Sequence, residues 1–142
     1  MGITIRCKKT NRAIDMGAGG FARLRRKVAE LTGEPWASHY AKLDQIPLFD
    51  PERTQFCDAF DQQTEELIAQ KCVPVKVADF CMQPDTDGRI RYGACKQIYE
   101  IVKDYDDDVL YGYAGRQDCA KFADFKAILK DCIETKSDMV WW

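Results

Sequence analysis

The two ends of the chain constrain its fold most tightly. The first, "GITIRCK", alternates Ile3, Ile5 and Cys7 on one side, which is the period of a half-buried strand. The last, "DMVWW", carries Val140, Trp141 and Trp142. Left unpaired, such a segment would present bare aromatic surface and an open strand edge. Pairing the ends removes both penalties, so a small sheet is expected in which the N- and C-terminal strands lie side by side.

Between the ends the dominant period is helical. Over residues 20–31, Phe21, Leu24, Val28 and Leu31 recur at three- and four-residue steps, which is one buried stripe. Gly33 and Pro35 are placed to end that helix. "EPWASHYAKL" reads as a short helix. A long helix is expected over residues 51–71, with Phe56, Phe60 and Leu67 inward and Asp58, Asp61 and Glu65 outward. There Pro51 suits the first turn and Asp50 the cap. Cys95, Ile98, Tyr99 and Val102 mark a third helix. Phe122, Phe125, Leu129, Cys132 and Ile133 mark a fourth, with Asp118 as cap. Residues 73–83 suit a strand or a helix, and "VLYGY" a short strand. Helices do not alternate regularly with strands, so the class is α+β. The expected architecture is a single domain over residues 1–142, with about four helices packed on a small sheet. A chain of 142 residues can bury a core without metal or disulfide staples.

Charge and composition narrow the function. A net charge of −2 argues against general nucleic-acid binding, which calls for a basic surface. No apolar run reaches the length of a membrane span. "MGITIRCKK" lacks a signal-peptide hydrophobic stretch, so a cytoplasmic protein is expected. Seven cysteines with no CxxC pair, beside the single His39, give zinc little to build on. Reduced, semi-buried thiols are expected, without metal or cofactor. A homo-oligomer remains open.

The segment "DMGAGGFARLRRK" is the leading candidate site. Gly17, Gly19 and Gly20 stand at a helix start, where unpaired N–H groups and partial positive charge favour an anion. Glycine there lets a phosphate approach the backbone. Arg23 and Lys27 are an i,i+4 pair of like sign, whose repulsion an intervening anion would relieve. On a helical wheel Arg26 points outward. Arg25 lies to the far side of the stripe and is expected to tolerate substitution. The spacing matches neither GxGxxG nor GxxxxGKS, and the same charges also suit a solvated face partly neutralised by Glu30. "YGYAGRQD" adds Tyr111, Tyr113 and Arg116, able to sandwich a base and pair with its phosphate. The candidate ligand-binding residues are therefore Gly19, Gly20, Arg23, Arg26, Lys27, Tyr111, Tyr113 and Arg116.

Other constellations are incomplete. "QPDTDGRI" imitates part of a calcium loop, but Ala94 stands where the bidentate glutamate belongs. "DYDDD" suits a solvated turn better than a magnesium site. A cysteine-dependent enzyme would need His39 beside a thiol.

Around "FCMQPDTDGRIRYGACKQI", with "GGFARLRRKVAEL" before it and "DMVWW" at the end, the chain resembles a set of small, uncharacterised bacterial and phage-borne proteins. Pro84 and Thr86 stand where those proteins tend to have serine and cysteine. The resemblance implies a mobile-element origin and no particular activity. Three functions follow as expectations. The first is a non-enzymatic binder of a small anionic nucleotide, used by a phage to sequester a defence signal. The second is an inhibitor docking on a host defence protein, as anti-CRISPR proteins do. The third is a cysteine-dependent enzyme.

Overall fold

β1 (Gly2–Cys7) and β4 (Met139–Trp141) pair antiparallel, with Ile5 opposite Trp141 and Cys7 opposite Met139. The computed structural model describes residues 2–112 and 119–142, and in it the two ends of the chain form the middle of a sheet. On the other side of β1 lies β2 (Ala13–Gly17), and on the other side of β4 lies β3 (Gly88–Ile90). The order is β2-β1-β4-β3, with every pairing antiparallel.

Helices make up the rest of the domain, and the three that carry Phe21, Phe80 and Phe125 pack on the sheet. α1 (Ala18–Thr32), α2 (Trp36–Ala41), α3 (Glu52–Ala69), α4 (Val75–Met82), α5 (Tyr92–Val102) and α6 (Phe122–Thr135) follow in chain order. Six helices thus stand among the described residues, against the four or so expected. The short helix after Pro35 is as expected, and the stretch at 73–83, which suits a strand or a helix, supplies a further one. The latter is helical because Val77, Ala78, Phe80 and Cys81 are buried at helical spacing while Val75 is exposed. "VLYGY" contributes only an isolated bridge, Leu110 to Lys121. The Asp118 cap expected for α6 lies outside the described residues. The Lys121 N–H instead donates to Asp124 Oδ2 at 2.8 Å, which helps close the first turn. At α3, Asp50 Oδ1 accepts the Thr54 N–H at 3.1 Å, so the expected acidic residue does serve that helix's entry.

Trp141 is the centre of the core. Its ring lies 5.5 Å from that of Phe21 and 5.6 Å from that of Phe80, and Phe80 lies 6.0 Å from Phe125. The sheet thereby grips α1, α4 and α6 through one aromatic cluster. Gly88 must lack a side chain, because a Cβ there would stand 1.9 Å from the Trp141 indole. α3 is held more loosely, burying only Phe60 and Leu67, with Phe56 half-buried. Among the described residues no helix is long and apolar enough to cross a membrane.

Candidate functional site

The glycines at the start of α1 divide in role. Gly17 ends β2 and is the N-cap of α1. Gly19 faces open space. Gly20 is buried, and a Cβ there would lie 2.0 Å from the carbonyl oxygen of Tyr111. Its missing side chain therefore admits the chain's own backbone.

The four basic residues of α1 also separate. Arg25 is a correction: it is buried at 7% exposure rather than tolerant on a free side. Its guanidinium donates to the carbonyls of Cys81 and Gln83 and pairs with Asp85. Arg26 is ion-paired with Asp44, which raises its pKa. Lys27 bonds Glu30 at 2.6 Å and stands 5.1 Å from the centre of the Tyr105 ring. The hydrogen bond to Glu30 raises its pKa. Arg23 is exposed, with its guanidinium 5.5 Å from the centre of the Tyr111 ring. Arg23, Lys27, Tyr105 and Tyr111 thus share one corner of the molecule. Tyr111 is buried; burial, then its hydrogen bond with Tyr105, pushes its phenol above the usual range. Tyr105 escaped the sequence reading because it sits inside "DYDDD", where the carboxylates dominate. Tyr113 and Arg116, named with this site, lie outside the described residues.

The two acidic turns have structural tasks. The "QPDTDG" turn is tied inward by Arg25, by the Gln83 side chain bracketing Arg89, and by the Trp141 indole N–H, which donates to the Pro84 carbonyl at 3.1 Å. Asp85 serves Arg25. The "DYDDD" turn is gathered by Lys126, buried at 9% exposure. Its ammonium donates to the carbonyls of Lys103 and Tyr105 and to Asp107 Oδ1 at 2.7 Å. Among the described residues no group of three or more His, Cys, Asp or Glu side chains is arranged to hold a metal ion.

His39 is buried at 1% exposure and stacked 4.0 Å from the Phe60 ring. Its Nε2 lies 2.7 Å from Thr64 Oγ1, while that hydroxyl donates to the Phe60 carbonyl. The hydroxyl hydrogen being used, Nε2 carries the proton and Nδ1 is bare, with no partner among the described residues. Burial, then Lys42, lowers the pKa of His39 below 6.5. The unfolded chain therefore binds this proton first, so stability is whole above about pH 6.5 and falls as pH drops toward the folded pKa. Melting curves between about pH 7.5 and 5 should show this loss in the wild type and a flatter profile in His39→Phe. Equal slopes would remove His39 from the account.

No family model, curated protein or solved structure matches the chain. What the fold defines is a class: a two-layer α+β domain with a cation–tyrosine corner beside the start of α1.

Proposed function

We propose that the protein is a non-enzymatic binder of a small anionic, nucleotide-type ligand, taken at the corner of Arg23, Lys27, Tyr105 and Tyr111. The observation that carries this reading is the pairing of two cations, one helical turn apart, with two neighbouring tyrosine rings. A guanidinium and an ammonium so placed can share one phosphate through charge-assisted hydrogen bonds. Glu30, exposed and bonded to Lys27, is the group a phosphate would displace. The setting proposed with it is counter-defence in the host cytoplasm, where binding would remove a nucleotide signal without turning it over.

ADP is the probe, with adenosine as its uncharged counterpart. ADP at a hundredfold excess over its Kd should stabilise the wild type by about 2.7 kcal/mol, read as a rise in Tm, and adenosine should not. Arg23→Gln with Lys27→Gln should fold normally and lose the rise, while Arg26→Gln should keep it. If all variants respond alike, the basic residues are only the wet face of a helix.

A specific observation favours a second reading, docking on a host protein. Leu48 and Phe49 are 78% and 77% exposed and adjacent in the turn before α3, among Asp44, Asp50 and Glu52. Neighbouring apolar side chains left so bare fit an apolar pocket with a basic rim. Leu48→Ser with Phe49→Ser would abolish such docking and leave the ADP response untouched.

A further inference from the structure

α3 is the longest helix among the described residues and the least embedded. Of its 18 residues only Phe60 and Leu67 are buried. A helix of that length spans about 27 Å, and apolar surface is left uncovered at both of its ends. Leu48 and Phe49 stand just before its first turn, more exposed than any other large apolar side chain described. Along its last two turns runs a trench shared with α4. Two hollows of about 390 and 200 Å³ adjoin there through Ile68 and Val75, with Pro74, Ala78 and Met82 in their walls. Val75 is itself exposed. Knob and trench thus lie at opposite ends of one rigid rod, and the chain cannot fill the second with the first.

The charges on the two are complementary. Asp50, Glu52 and Arg53 follow the knob, and all three are exposed. Lys71 lines one hollow and Asp79 the other, both exposed, so Lys71 answers the two acids and Asp79 answers Arg53. Area agrees. Leu48 and Phe49 together show roughly 300 Å² to solvent, so two knobs and the two trenches they cover hide about 1,200 Å², the lower edge of a stable interface. A second copy laid antiparallel along α3 meets both ends at once, because the span from knob to trench is the same in each chain. Made twice about a two-fold axis, the contact closes and leaves nothing to propagate.

We propose that the protein is a symmetric dimer in which Leu48 and Phe49 of each chain seat in the α3–α4 trench of the other. The register follows from the sequence. Phe49 opposite Ile68 puts the two-fold axis between Asp58 and Ala59. Cys57, Thr64 and Ile68 share one stripe of α3, at steps of seven and four residues, and Cys57 is partly exposed. The two Cys57 side chains therefore face each other across the axis, about one helix–helix spacing of 8–10 Å apart. Cys72, at the trench end, is on the order of 40 Å from its counterpart. The dimer stands apart from the nucleotide reading, whose Arg23 and Lys27 lie on α1. It does claim the apolar pair that a host protein would otherwise take.

Sedimentation equilibrium of the full chain at tens of micromolar should give twice the chain mass of 16.3 kDa. Leu48→Ser with Phe49→Ser should halve it, and so should Val75→Glu on the trench side, both at unchanged circular dichroism. Bismaleimidoethane, mapped by mass spectrometry, should join two wild-type chains in a band that Cys57→Ser removes and Cys72→Ser leaves. A wild type that sediments as one chain overturns the proposal, even if it later gains mass from a host lysate. Mass that keeps growing with concentration overturns the closed dimer, and a cross-link through Cys72 or Cys119 overturns its register. These readings are made on the wild type, so they stand if a variant folds poorly. Arg23→Gln with Lys27→Gln should remain dimeric, and Leu48→Ser with Phe49→Ser should keep the ADP response, so the two readings fail separately.

Discussion

Trp141→Ala is expected to destabilise the protein by about 3–5 kcal/mol, the range for removing a fully buried tryptophan from a core. The indole is 1% exposed and packs against both Phe21 and Phe80. Its N–H also holds the Pro84 carbonyl, so truncation opens a cavity and frees the turn before β3. Little can collapse into the space, because Gly88 lies against the ring with no side chain of its own. For a chain of this size the loss amounts to a fall in Tm of roughly 10–15 °C or more. Trp142→Ala is the contrast. That ring is 48% exposed, with Arg6 5.0 Å from its centre, and its loss should cost less than about 1 kcal/mol. Urea titrations of the two variants decide the matter. Equal midpoints would mean that β4 is not the spine of the sheet.

How far the fold was legible follows from where its signals lie along the chain. The pairing of β1 with β4 could be read because each strand displays its apolar residues locally. β2 was missed because Asp15 and the flanking glycine interrupt Ile14 and Met16, leaving too short an alternation to stand out. The core stripe of α1 was visible at Phe21, Leu24 and Val28. Its polar side was not, since the groups that claim Arg25 and Arg26 come from residues 81–85 and from Asp44. Gly20 looked like room for a phosphate, and only the approach of Tyr111 shows what else occupies that room.

Arg25→Met is the second large effect, expected at about 2–4 kcal/mol, and it reverses what a helical wheel suggests. Methionine keeps the apolar stem, which runs with the guanidinium 4.5 Å from the centre of the Phe21 ring, so packing is largely conserved. What disappears is the set of donors beneath the "QPDTDG" turn. The Cys81 carbonyl retains the Tyr40 hydroxyl at 3.2 Å and is not orphaned. The Gln83 carbonyl loses its Arg25 donor, and an acceptor stranded under cover costs about 1–3 kcal/mol. Asp85 is half exposed, so its freed carboxylate returns to water and adds only the value of the broken pair. Arg25→Lys should fall between, because an ammonium can reach one of these acceptors but not span them all. Arg26→Met should cost less than about 1 kcal/mol, its partner Asp44 being exposed. Chemical denaturation of the three variants gives the order directly. If Arg25→Met and Arg26→Met unfold at the same denaturant concentration, Arg25 holds nothing under that turn, and the wheel was the better guide to the helix.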